Sequence, residues 1–385
     1  MTDSGGLAVD AIKTIYDFWR VNADRAQWVG DPSAGGLLRE GYGFDWWPGD
    51  FKIAVRVFGP HPELDRPVFR LSVRTDYLCN VDVTTPEFKR LLSNANQVAP
   101  TFAICTHPTI LPKALAKYGP LTDLGLDLKS SPVWLASAAY LHEGTKDWLP
   151  PVFSGFCLLQ LIEAQFTAEA RARYLGGRAD YSKPSGRDSP TSLADILKVE
   201  KREVVPSGER ESKWIGTGEF EQIIVNWGYG DSGYGEAFEG GLSIQVPFGH
   251  VTAIVFLRTD MRHLGLGYGL HVILKIPYLH ELEYIHALSI EMNYIEDRIW
   301  SKPGMQFIGN WSAEQWGGAA PGEPDFGPVF NTFIPNLFYQ YGLAEILVMD
   351  AMARAKMFRE ILAPDMIDLP MEEIHKRRHN QKKSR

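Results

Sequence analysis

The sequence predicts an α+β protein built from two related antiparallel-sheet domains in tandem. Three observations predict it. Residues 168–175 read Ala-Glu-Ala-Arg-Ala-Arg-Tyr-Leu and residues 351–358 read Ala-Met-Ala-Arg-Ala-Lys-Met-Phe, so one order of small, basic and bulky positions recurs near the ends of two apolar helices. Upstream landmarks recur in the same order: Gly49 with Gly249, Tyr77-Leu78 with Tyr278-Leu279, and Pro132-Val133 with Pro328-Val329, at offsets of 200, 201 and 196 residues. Between them, runs of period-two hydrophobicity alternate with runs of helical period.

In chain order, residues 6–22 predict an amphipathic helix, with Ala8, Ile12, Ile15, Tyr16 and Trp19 at three- and four-residue steps. After the breaker Asp31-Pro32-Ser33-Ala34-Gly35-Gly36, Phe51, Ile53, Val55 and Val57 alternate with Lys52, Ala54 and Arg56. Phe69, Leu71, Val73 and Tyr77 then alternate with Arg70, Ser72, Arg74 and Asp76. Such alternation buries one face and leaves the other wet, as antiparallel sheets do. Thr84-Thr85-Pro86 opens a short helix to Val98. Strands are expected at 101–106 and 133–141, with a helical turn at Leu111 to Tyr118 between them, and a long helix at 152–175 ends on Gly176-Gly177.

The second half repeats the programme. Strands are expected at 220–226, 242–247, 251–257 and 270–276, a helix at 279–300, strands at 305–311 and 329–334, and a helix at 343–362. The offset falls to 183 at the octets, which places an insertion in the first half near His142 to Pro150. Because 251–257 and 270–276 are apolar on both faces, the second sheet is expected to be the more enclosed. The domains are then 1–177 and 219–363, joined by a polar linker at 178–218 with a short helix at Ser192 to Val199, and followed by a basic tail at 364–385.

Two tandem α-β-β-β-α-β-β-α units resemble, by element order, the YbjN and type III secretion chaperone-like fold. That resemblance implies a twisted antiparallel sheet packed against helices and action by binding other proteins. A tandem copy in one chain is similar to a covalent dimer of such domains, which implies a monomer with intrachain pairing of the halves. A double hot-dog arrangement is the structural alternative and points instead to thioester or acyl-chain chemistry.

Composition narrows the function classes. The 385 residues are 45% hydrophobic and 22% charged, with a formal net charge of −8, which argues against general nucleic-acid affinity. Lys376, Arg377, Arg378, Lys382, Lys383 and Arg385 make a basic end that is either a solubilising tail or a contact for an acidic partner or membrane surface. Cys79, Cys105 and Cys157 fit no zinc spacing and predict reduced thiols in a cytoplasmic protein. No signal peptide or membrane span is read from the sequence.

Four candidate surfaces follow. Lys52, Arg56, Arg70 and Arg74 share the predicted wet face of the first sheet and suit an anionic ligand or acidic protein segment; the plain alternative is a solvated face paired to Asp76 and nearby acids. Trp46, Trp47, Trp311 and Trp316 lie in or beside loops, where tryptophan anchors protein partners. The triplets at Gly41, Gly228, Gly233 and Gly267, each Gly-Tyr-Gly, miss every phosphate-loop spacing and read as turns or bulges. Glu283 and His286, one turn apart, match Glu372 and His375 only at the edge of the tail, too little for a metal centre. No nucleophile elbow or cysteine-histidine set is present, and His142, Glu143 and Asp147 form the one enzyme-like polar loop. The sequence therefore points to a protein-binding module without cofactor or metal; the alternative is an enzyme or small-ligand binder with its site in a cleft between the halves.

Overall fold

A computed structural model describes residues 4–21, 23–33, 37, 41–61, 64–99, 101–107, 128–181, 210–226, 234–248, 251–263, 266–278, 281–298, 307–316 and 325–362. The fold is α+β, with one seven-stranded and one six-stranded antiparallel sheet, in two similar halves. The compact units are not those halves cut at the linker: residues 290–298 and 307–311 belong to the first unit, with the described residues up to 181.

In the first unit, α1 (Ser4–Phe18) precedes β1 (Ala26–Val29), β2 (Tyr42–Trp46), β3 (Ile53–Phe58) and β4 (Phe69–Val81). Then come α2 (Pro86–Val98), β5 (Ala103–Thr106), β6 (Ser131–Leu141), α3 (Leu149–Leu175) and β7 (Arg178–Ala179). The sheet runs β1-β2-β3-β4-β6-β5, with β7 paired to β4. The predicted alternation holds in β3, where Ile53, Val55 and Val57 are buried and Ala54, Arg56 and Phe58 are not. The buried side packs on α1 and α3, which also pack on each other. Thr85 caps α2 by accepting from the Phe88 amide at 3.2 Å, with proline in the first turn as expected. Helix α3 is long and apolar enough to cross a bilayer by length and composition, and in this fold most of it is buried. It ends where Gly177 adopts φ +78°, and a Cβ there would stand 2.5 Å from the Cys79 carbonyl oxygen.

Two amides fasten helices to strands inside this unit. Gln160 of α3 is fully buried; its Oε1 accepts from Thr75 Oγ1 at 2.9 Å, and its Nε2 donates to the Val73 carbonyl at 3.3 Å and to Ser137 Oγ at 3.2 Å. Asn96 of α2 donates to the Ile104 carbonyl at 3.0 Å and accepts from the Ile104 amide at 2.7 Å, acting as one more strand residue beside β5.

The second unit is built around the other sheet, from α4 (Glu219–Asn226), β8 (Gly235–Phe238), β9 (Gly241–Phe248), β10 (Val251–Arg258) and β11 (Gly269–Lys275). Helix α5 (Leu282–Arg298) contributes its residues up to 289; β12 (Asn310–Trp316), β13 (Asp325–Pro335) and α6 (Leu343–Leu362) follow. The sheet order is β8-β9-β10-β11-β13-β12, the same path as in the first sheet, and α6 packs on β9, β10 and β11. Both halves thus read α-β-β-β-β-α-β-β-α, one strand longer than the sequence predicts.

Several expectations change. Residues 220–226 form a helix rather than a strand, because burial falls on Glu219 and Ile223, one turn apart, while Val225 is 72% exposed. Thr217 Oγ1 accepts from the Glu219 amide at 3.3 Å, and the Glu219 carboxylate in turn accepts from the Gly342 amide at 3.0 Å, just before α6. Strand β1 was not expected, since Ala-Gln-Trp-Val alternates weakly and lies at the sheet edge. Strand β12 begins at Asn310, with Phe307 before it in an isolated bridge; residues 305 and 306 of the expected strand lie outside the described residues. The second sheet is not the more enclosed one: β10 and β11 alternate buried and half-buried positions as β3 does, and the strands buried on both faces are β5 and β6 of the first sheet.

The insertion near His142 is also absent. The α3 and α6 helices start 194 residues apart, at Leu149 and Leu343, whereas the octets lie 183 apart. The difference is close to three helical turns, so the octets occupy the same face of each helix at different depths. Ala168 and Ala172 in one, and Ala351 and Ala355 in the other, are buried. The expected elements at 111–118 and 192–199, the triplet at Gly228 and the basic tail lie outside the described residues.

Replacing Gln160 by leucine strands Thr75 and Ser137 in an apolar layer. A loss of roughly 2–3 kcal/mol is expected from the unmade hydrogen bonds, read as a lower urea midpoint at unchanged slope.

Candidate partner-binding face on the first sheet

Register fixes what the outer face of the first sheet carries. Arg56 stands opposite Ser72, and β4 then meets β6 as Arg70 with Tyr140, Ser72 with Ala138, Arg74 with Ala136 and Asp76 with Trp134. Strand β5 adds Ala103 beside Ala136 and Cys105 beside Trp134. The cations do share this face, as predicted, but they do not form an open patch. Lys52 is ion-paired with Asp76 at 2.8 Å. Arg56 pairs with Asp45 and donates to the Phe44 carbonyl at 2.6 Å. Arg74 lies with its guanidinium carbon 4.0 Å from the centre of the Trp134 ring, a cation–π contact, and Arg70 is only 9% exposed.

Arg70 is buried because the end of α5 sits on it. Its guanidinium donates to the carbonyls of Glu296 at 3.0 Å and Asp297 at 2.5 Å, with the Asp297 carboxylate 3.9 Å away. The last carbonyls of a helix have no intrahelical partner and carry the negative end of its dipole, so a buried arginine satisfies both needs. Trp134 Nε1 donates to the Asp297 carboxylate at 2.9 Å, and Cys105 Sγ reaches the Asn293 carbonyl at 3.7 Å. The ring of Tyr294 packs against His107 and Trp134.

The chain then returns along the sheet. The Ala138 amide donates to the Phe307 carbonyl at 2.9 Å in an antiparallel bridge. Asn310 donates to the carbonyls of Ala99 at 2.7 Å and Phe102 at 3.0 Å. Asn293 and Trp311 exchange main-chain bonds through the asparagine amide at 2.7 and 3.0 Å, and Trp311 Nε1 donates to Glu296 at 2.5 Å. Sequence reasoning missed Trp134, Asn293, Glu296, Asp297 and Asn310. Their signal was faint: polar residues at positions whose helical or strand period marks them as buried.

The tryptophan expectation is corrected at three positions. Trp46, Trp47 and Trp311 are buried, because each belongs to a packed strand or its end rather than to a loop. Trp316 ends β12, and its side chain lies outside the described set. Among the described residues the exposed indole is Trp28 on β1, at 44%, stacked on Tyr42 with ring centres 5.5 Å apart and 5.0 Å from the ring of Tyr16.

Other polar candidates resolve into local structure. In the 142–148 turn, Thr145 Oγ1 accepts from the His142 amide at 3.0 Å, His142 Nδ1 accepts from the Gly144 amide at 3.1 Å, and Glu143 pairs with Lys146. Gly43 of β2 is required because a Cβ would lie 2.0 Å from the Val55 carbonyl oxygen. Burial pushes the Cys157 thiol far above its ordinary range, which removes it as a nucleophile. Among the described residues, no three histidine, cysteine or acidic side chains converge as a metal site; His286 is buried, and Glu372 and His375 lie outside them.

The second sheet places a histidine where the first has Arg70. His271 pairs across to Phe333 and back to Arg258, as Arg70 pairs to Tyr140 and Phe58. Its ring lies 4.4 Å from that of Phe333, and burial, helped by the positive charge of His263 and Arg258, holds its pKa down at about 4. No known family, curated protein or solved structure matches this chain.

Arg70→Met should cost about 3–5 kcal/mol, since it removes two hydrogen bonds to helix-end carbonyls and the cation beside the buried Asp297 carboxylate; thermal melts at two salt concentrations measure it. His271 binds its proton less readily when folded than when unfolded, so its contribution is complete above about pH 6.5 and is lost as pH falls toward about 4. Unfolding free energies from urea titrations at pH 7 and pH 4.5 should differ by on the order of 2–3 kcal/mol more in the wild type than in His271→Gln.

Proposed function

We propose that the chain is a protein-binding module that acts in a chaperone-like way, by holding segments of other polypeptides against a sheet face. The observation that carries this reading is the manner in which the first sheet holds residues 290–298 and 307–311. Arg70, Cys105 and Ala138 all donate to main-chain carbonyls of that segment. Main-chain atoms are the same in every sequence, so a grip of this kind transfers between ligands, as it does where peptides add to a sheet. The stacked Trp28 and Tyr42 supply a second, exposed aromatic surface on the edge of the same sheet.

The test is suppression of aggregation. A heat-unfolded model protein is followed by light scattering with and without an equimolar amount of the full chain, and complexes are sized by multi-angle scattering. A several-fold slower rise with a stoichiometric complex is expected. No effect on scattering, together with a small molecule carried through purification and seen by native mass spectrometry, would overturn the reading.

A further inference from the structure

We propose that strand β1 is an open edge at which the first sheet grows by one strand, and that the strand it takes is an extended, uncharged, apolar segment of another polypeptide, such as an unfolded chain exposes. This rests on the protein-binding reading above and gives it a place and a ligand chemistry.

Each sheet closes one of its edges and leaves the other. At β5, Asn96 accepts from the Ile104 amide at 2.7 Å and donates to its carbonyl at 3.0 Å, so it stands where a further strand would. At β12, Asn293 treats Trp311 in the same way, at 2.7 and 3.0 Å. Among the described residues, no side chain closes the opposite edges, β1 and β8, in this manner. Strand β8 carries Glu236 in its middle, and a charge there guards an edge against pairing; β1 reads Ala-Gln-Trp-Val, with neither charge nor proline.

Register shows which groups of β1 face outward. The Trp47 amide donates to the Arg25 carbonyl at 2.9 Å, and Ala26, Gln27, Trp28 and Val29 stand opposite Trp46, Asp45, Phe44 and Gly43. Bonded and unbonded pairs alternate along an antiparallel ladder. Gln27 and Val29 therefore bond to β2, while the N–H and C=O of Ala26 and Trp28 point away from the sheet. Those groups make no hydrogen bond among the described residues.

The side chains narrow the occupant. Trp28 shares the face of buried Phe44, and Tyr16 of α1 lies 5.0 Å from the one ring and 5.2 Å from the other. On that face the small Ala26 follows the large Trp28, so an added strand can place a bulky apolar residue opposite Ala26, against the flank of the indole. Two outward residues are too short a front for a second copy of the chain, since stable dimers bury roughly 1,200–2,000 Å². A single extended segment needs no longer front than this.

The test uses the full chain and an end-blocked fluorescent peptide, Thr-Val-Phe-Val-Thr, beside the same peptide methylated at every backbone nitrogen. Amide exchange is followed residue by residue by NMR. In the free chain Ala26 and Trp28 should exchange about tenfold faster than Gln27 and Val29, and saturating peptide should slow only the first pair. Equal exchange at all four, or no slowing with peptide, would overturn the proposal. The methylated peptide should bind about tenfold more weakly or worse; equal binding would mean apolar adhesion and not strand addition. Ala26→Pro removes an outward N–H that β2 does not use, which an edge strand tolerates, and should weaken binding of the unmodified peptide by a similar factor. If that variant unfolds, the exchange pattern and the methylated peptide decide without it. A dimer seen by light scattering that Ala26→Pro dissolves would make the occupant a second copy and sink the client assignment. Aggregation suppression equal in wild type and folded Ala26→Pro would remove this edge and leave the protein-binding reading standing; suppression absent from the wild type would remove both.

Discussion

The guanidinium of Arg70 is the constraint on which the first unit depends. A buried cation in an apolar setting must be matched in charge and in hydrogen bonds, and the sheet alone offers it neither. The end of α5 offers both through two carbonyls and the Asp297 carboxylate. Once that end is fixed, Trp134 has its acceptor, Arg74 has an aromatic face to lie on, and the return to Phe307 meets the free amide of Ala138. The outer face is consequently a polar assembly with each member holding the next, whereas the inner face, against α1 and α3, is an ordinary apolar core tied at Gln160.

The two sheets share a path and differ at the position that matters. His271 stands in the second sheet as Arg70 stands in the first, across from an aromatic residue in each case. An arginine cannot give up its charge and so demands a partner; a histidine can be neutral and so can remain beside Phe333 without one. The same scaffold therefore imposes a fixed electrostatic requirement in one copy and a pH-dependent one in the other.

Much of this fold was legible because its inner faces obey simple periods. Pro86 to Val98 and the strands at 53–57, 69–77 and 133–141 lie where alternation and capping put them. The failures have physical causes. Ile223, Ile224 and Val225 favour strands by propensity, but only one of them is buried, and tertiary packing chose a helix. The octets are a true likeness of helix face rather than of position, about three turns apart along their helices. The candidate site was half legible: parity correctly put Lys52, Arg56, Arg70 and Arg74 on one face. Nothing local in the sequence says that residues more than 200 positions later will cover Arg70.

That separation has a consequence for synthesis. Arg70 finds its acceptors 226 and 227 residues further along the chain. At about 5–20 residues per second a ribosome needs roughly 10 to 45 s to deliver them after Arg70 emerges. During that interval the strands and helices of residues 1–181 are complete in sequence while Arg70 and Trp134 lack their acceptors. The nascent chain must spend that time with a charged, tryptophan-bearing sheet face open to whatever else the ribosome's surroundings contain.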